Sequence, residues 1–162
     1  MSEGIGMEPS ASTTAVCMAQ VMQPSHANVV GNVHGGTIMK MIDEAAAVVA
    51  IRHARRNVVT ASIDRLDFHA PAYVGNLLIL RAALNYVGRS SMEVGVRVEA
   101  EDLKYGTIRH CASAYLTFVA LDEAGKPAAV PPLVAATGED RRRQEEAARR
   151  HEARVRTRPQ AT

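Results

Sequence analysis

Apolar residues run almost unbroken from Ile38 to Ile51, and only Lys40, Asp43 and Glu44 interrupt them. A run of that length predicts a helix, from Gly36 to about Ala54, packed on most of its surface. Upstream, Thr14 to Met22 reads as a first strand, and Pro24 to Gly36 as a loop. Downstream the period shortens to two. Val58 to His69 and Asn76 to Val87 are strand candidates, the first stopped by Ala70-Pro71 and the second by Gly88. From Ser90 to Glu101, Met92, Val94, Val96 and Val98 face one way, and Glu93, Gly95, Arg97 and Glu99 the other. Ile108 to Leu121 carries a uniformly apolar face of Ala112, Ala114, Leu116, Phe118 and Ala120. Short connections bearing Gly, Asn and Arg predict an antiparallel meander for these four strands. A single long helix with a sheet wide enough to wrap it is an α+β layer arrangement. One curved sheet leaves its edges open and part of the helix uncovered, and pairing of two copies edge to edge is the simplest remedy.

Composition adds an asymmetry to this picture. The 162 residues, 47% hydrophobic and 22% charged, suit one domain of ordinary globular type. Eight Arg and five acids fall within residues 139–162, leaving 11 basic and 12 acidic groups in residues 1–138. The body is near neutral and the tail is basic. The organisation expected is a disordered stretch at 1–13, one domain at 14–134 and a charged helix within 135–162. With 4% aromatic residues and no basic groove, nucleic-acid binding is not expected. No stretch approaches the ~20 apolar residues of a membrane span. The first residues lack the basic and apolar regions of a signal peptide, which predicts a cytoplasmic protein. Cys17 and Cys111 are read as buried free thiols. The six histidines lack metal-ligand spacing, so no metal site is expected.

Asp43 and Glu44 are the chemical anomaly. A carboxylate in an apolar helix is costly unless it is paired or used. Glu44 has a partner one turn back in Lys40, whereas Asp43 falls at the border of the face formed by Ile38, Ile42 and Ala46. A partly desolvated carboxylate there can act as a base or nucleophile. Before the helix lies Gly31-Asn32-Val33-His34-Gly35-Gly36. Asn32 offers a donor and an acceptor, though turn formation alone would explain it. The N–H groups of Gly35 and Gly36, at the positive helix end, suit a developing oxyanion. His34 fits a supporting role. Gly88-Arg89-Ser90-Ser91 offers a cation, two hydroxyls and turn N–H groups, a grip for phosphate or pantetheine and equally an ordinary hairpin turn. Arg52, Arg55 and Arg56 could attract a polyanion, and the tail arginines read as a solvated face.

Several blocks in order resemble the hotdog-fold acyl-CoA thioesterases, specifically the cytosolic acyl-CoA hydrolase branch. They are Gly31 to Gly36, Met41-Ile42-Asp43-Glu44-Ala45, Val59-Thr60-Ala61, and Asp67-Phe68-His69-Ala70-Pro71. Val87 to Val94, and Val119 to Asp122 leading to Val130-Pro131-Pro132-Leu133, complete the set. The resemblance implies an antiparallel sheet wrapped around a central helix, a homodimer with active sites at its interface, and a trimer of such dimers. It implies hydrolysis of acyl-CoA to CoA and a carboxylic acid, with no cofactor because CoA is part of the substrate. Asp43 of one subunit would then work with Asn32 of the other, and Phe68 would line the acyl channel. A non-catalytic acyl-CoA-binding protein and a hotdog hydratase are the rival readings; fold alone does not separate them.

Overall fold

The computed structural model describes residues 11–157. A short helix α1 (Ala11–Thr14) precedes β1 (Val16–Val21), and the long helix α2 spans Gly35–Ala54. Then follow β2 (Asn57–Phe68), β3 (Leu77–Val87), β4 (Ser91–Asp102), β5 (Thr107–Leu121) and α3 (Gly138–Thr157). Residues 1–10, most of the stretch expected to be disordered, lie outside the described residues.

The five strands form one antiparallel sheet in the order β1-β3-β4-β5-β2. This corrects the expected meander. β3, β4 and β5 do follow one another, but β2 crosses to the far edge and pairs with β5. The reason is the helix. α2 leaves the β1 edge, crosses the inner face of the sheet and delivers the chain to the opposite edge, so β2 and β3 cannot be neighbours.

The core lies between α2 and the inner face. Ile38, Ile42, Ala46, Val49 and Ala50 pack against Met92, Val94, Val96, Val98, Ala112, Ala114, Leu116 and Phe118, all buried as their alternation predicts. At the C-terminal end of α2, the buried His53 ring bonds the Pro131 carbonyl through Nε2 at 2.7 Å. Burial pushes its pKa below the usual histidine value against the opposing pull of that carbonyl.

α3 covers part of the outer face. Its arginines are not merely solvated, as the sequence suggested. Arg150 grips Glu93, which is only 2% exposed, and stacks over the Tyr115 ring at 4.0 Å. Arg154 bonds Asp64 at 2.8 Å. A carboxylate under a helix is costly without such a partner, so the tail helix and the acids of the outer face explain each other. Cys111 is buried as expected, but Cys17 is exposed, because it points outward from the edge strand β1. Arg52 bonds the carbonyls of Ala15 and Thr13 and so tethers α1 to α2 rather than facing a ligand.

Candidate active site

Asp43 sits midway along α2, half-buried, at the boundary between the packed and open sides of the helix. Its Oδ1 accepts a hydrogen bond from Thr60 Oγ1 on β2 at 2.7 Å. Glu44, one residue on, points to solvent and pairs with Lys40 at 3.7 Å, as the helical spacing predicted. The two acids have therefore separated: one belongs to the surface, the other to the seam between α2 and β2.

The loop before α2 builds a second feature. Asn28 accepts the N–H groups of Val30 and Asn32 at its Oδ1, at 3.0 and 3.2 Å. That fixes the orientation of its amide and leaves Nδ2 free to donate. Gly31 takes φ +89° to close the same loop, a conformation that favours glycine. Asn32 is held through its backbone, which bridges Tyr73 and accepts the Asn28 N–H at its carbonyl oxygen. His34 caps the helix: its Nδ1 accepts the Gly36 N–H at 2.9 Å. This corrects the expectation for Gly36, whose N–H is occupied by the cap. The Gly35 N–H remains as the donor at the helix start.

Asn28, Asn32, Gly35, Ile38 and Phe68 line a cavity of about 360 Å³ between this loop and the end of β2. Phe68 is 50% exposed and closes over Gly35, where an added Cβ would stand 3.6 Å from its ring. Asp43 does not line that cavity. Eight residues of helix separate it from Gly35, about 12 Å along the axis at 1.5 Å per residue.

The hairpin turn Gly88-Arg89-Ser90-Ser91 lies with Asp43, not with the cavity. Ser91 pairs with Val119, which also pairs with Val59, while Phe68 pairs with Ala112 far along the same strands. Gly88 donates to the Ser91 carbonyl, and Arg89 and Ser90 accept from Val130 and Ala120. These residues thus fall into two groups at opposite ends of the sheet. Asp43, Thr60 and the Gly88–Ser91 turn form one; Asn32, Gly35, His34 and Phe68 form the other.

Sequence reasoning missed Thr60 and Asn28. Thr60 stands in the Val59-Thr60-Ala61 block, with no partner visible in the sequence. Asn28 carried a signal that went unused: an Asn two residues before Val30-Gly31 is a common Asx-turn former.

The open side of the fold links the two groups. β2 is an edge strand of 12 residues, and Val59 is 46% exposed along it. Ile63 on β2 and Met39, Val48 and Ile51 on α2 are also exposed. A long apolar edge of this kind invites pairing with another chain.

Residues 30–107 match the thioesterase superfamily. The chain is 38% identical to an apo-hexameric acyl-CoA thioesterase of known structure, with a TM-score of 0.88 over 92% of this chain and 96% of that one. The chain belongs to the thioesterase superfamily. Its α+β hotdog architecture, with an antiparallel sheet around one central helix and a charged C-terminal helix, is that of these relatives. An acyl-CoA hydrolase from Staphylococcus aureus, solved with butyryl coenzyme A, coenzyme A and coenzyme A disulfide, is 37% identical with a TM-score of 0.84, covering 92% of this chain and 91% of that one. That enzyme has also been solved as variants in which an Asp, an Asn or a Thr is replaced by Ala, the Asn variant with coenzyme A bound. Protein VdlD of Helicobacter pylori is 40% identical over 147 residues, 91% of this chain and 84% of that protein. No helix among the described residues is long and apolar enough to cross a membrane.

Proposed function

We propose that this protein hydrolyses acyl-CoA thioesters to free CoA and a carboxylic acid, at composite sites shared by two copies of the chain. The observation that carries this reading is Asp43, a half-buried carboxylate in an apolar helix with one oxygen held by Thr60. Among the described residues the other oxygen has no hydrogen-bond partner, which leaves it to a water molecule. The separation of Asp43 from its own Asn28–Gly35 loop supports a site completed by a second subunit. So do the exposed apolar edge of β2 and the hexameric assembly of a close structural relative.

In this scheme Asp43 Oδ2 takes a proton from a water molecule as the water oxygen attacks the thioester carbonyl. The carbonyl oxygen gains negative charge against the Gly35 N–H of the partner subunit, at the positive end of its helix. The amide of Asn28 in that subunit donates to the water or the thioester, and Asn32 lies beside it in the same cavity. His34 serves by holding the first turn. The tetrahedral intermediate then collapses and expels the CoA thiolate, which recovers the proton from Asp43. Phe68 borders the acyl chain, and the Gly88-Arg89-Ser90-Ser91 turn takes the pantetheine or phosphate portion. CoA enters as part of the substrate, and the reaction needs no metal or redox group. We assign the reaction to the cytoplasm and the assembly to a trimer of dimers.

The direct test is thiol release from acyl-CoAs of increasing chain length by the wild type and by Asp43→Ala. The reading requires a correctly folded variant that has lost hydrolysis across the series. Near-normal turnover of several acyl-CoAs by that variant would overturn it.

A further inference from the structure

A larger hollow than the one beside Gly35 lies elsewhere in the fold. A cavity of about 740 Å³ lies on the outer face of the sheet, under the N-terminal half of α3. It exists for a local reason. The C-terminal half of α3 is pinned by the buried Ala147 and by the Arg150–Glu93 and Arg154–Asp64 pairs. The first half overhangs strand positions occupied by the small residues Ala83, Gly95 and Ser113.

Five guanidinium groups line this space, from Arg81, Arg97, Arg142, Arg143 and Arg150, against the single carboxylate of Glu146. Their pairings show which are available. Arg150 is committed to Glu93 by hydrogen bonds through two of its nitrogens. Arg81 and Arg97 lean on one carboxylate, Glu99, at 3.6 and 3.0 Å, so two cations share one charge. Arg97 reaches it through Nε, which leaves its terminal nitrogens to make a bidentate contact. On the roof, Arg142 pairs with Glu146 and Arg143 with Glu139, both across one turn of exposed helix. Pairs of that kind on an exposed helix are weak and are readily exchanged for a stronger acceptor.

We propose that this cavity is a binding site for a pyrophosphate-bearing ligand, with Arg81 and Arg97 on the floor and Arg142 and Arg143 on the roof. Its volume matches that of small-molecule sites, about 300–1,000 Å³. Its charge calls for an anion of more than one unit, and the two pairs of arginines on facing surfaces suit two linked phosphates. The site is distinct from the one proposed for hydrolysis. It lies on the outer face of β1, β3, β4 and β5, whereas Asp43 and the Gly35 cavity lie on the helix side and at the β2 edge. The same chemistry is offered by a free nucleotide and by the nucleotide end of CoA.

Cys17 supplies the test, because its exposed thiol lines the cavity 3.7 Å from Arg81, whereas Cys111 is buried. The rate of Cys17 alkylation by iodoacetamide is followed by mass spectrometry on the assembled full-length protein. Inorganic pyrophosphate, ADP and CoA are each titrated at constant ionic strength. The expected result is saturable protection of at least tenfold by pyrophosphate, retained in Asp43→Ala and shifted at least tenfold to higher concentration in the Arg81→Gln/Arg97→Gln double variant. A lower half-saturation for ADP identifies a free nucleotide as the ligand, and a lower one for CoA identifies the nucleotide of the substrate. Protection by CoA alone, or equal protection by sulfate, would overturn the proposal. So would a Cys17 that is already inert in the ligand-free assembly, since a second copy would then fill the cavity.

Discussion

Thr60 donates its hydroxyl proton to Asp43 Oδ1 across 2.7 Å, joining the middle of the central helix to the edge strand β2. The bond occupies one carboxylate oxygen, aims the other at the open side of the helix, and restrains the side chain to one rotamer. Removing it leaves the acid in place but free to turn. Thr60→Val is therefore expected to keep the fold and lower turnover by about 10- to 100-fold, the equivalent of one hydrogen bond to a charged group. Thr60→Ser, which keeps the hydroxyl, should retain most of the activity. Steady-state kinetics with one acyl-CoA, with circular dichroism as the fold control, checks both.

The two asparagines of the loop before α2 differ in a way that kinetics can read. Asn28 has its amide oriented by the N–H groups of Val30 and Asn32, whereas the side chain of Asn32 makes no hydrogen bond among the described residues. A donor already held in place stabilises a transition state without reorganising. Asn28→Ala should lower kcat by about 10²-fold or more, and Asn32→Ala by less. Equal losses, or the reverse order, would return the role to Asn32.

The tail helix carries its own prediction. Glu93 lies buried beneath α3 and depends on Arg150 for its charge partner. Arg150→Met should destabilise the protein by about 3 kcal/mol, because it strands a buried carboxylate. Adding Glu93→Leu to that variant should recover most of the loss. Urea unfolding midpoints of the single and double variants measure the difference.

His53 predicts the direction of pH dependence. Burial lowers its pKa in the folded protein, so the unfolded chain binds a proton more readily than the folded one. His151, half-buried beside Arg154, is shifted the same way, by desolvation and then by the Arg154 charge. The stability from keeping these rings neutral is present above the ordinary histidine value of about 6.5 and is lost as pH falls below it. Thermal unfolding should show a falling midpoint from pH 7.5 to pH 5.5, and His53→Gln should flatten that slope.

Much of this was legible in the sequence because it rests on local periodicity. The alternation of Met92, Val94, Val96 and Val98 gave the face of β4, and the i,i+4 spacing of Lys40 and Glu44 gave their pairing. Strand order was not legible. Nothing local says that β2 must cross to β5, since that depends on the path of α2 across the sheet. The cap on Gly36 escaped for a local reason. Paired glycines advertise free N–H groups, but whether the His34 ring turns back onto one is settled by backbone angles at the helix start. Arg150 looked solvated because its partner, Glu93, lies 57 residues away. The strand order and the Arg150–Glu93 pair are tertiary, whereas the Gly36 cap and the Asn28 turn are local and depend on side-chain rotamers.

The claim that each active site draws on two chains is tested most directly by complementation. Asp43→Ala and Asn28→Ala subunits, each inactive alone, are co-expressed or unfolded and reassembled together, and thiol release is measured. In a symmetric pair with shared sites, a mixed dimer holds one site with both residues intact, so random mixing should restore roughly a quarter of wild-type activity. Mixtures that contain mixed dimers but stay as inactive as the separate variants would contradict the account.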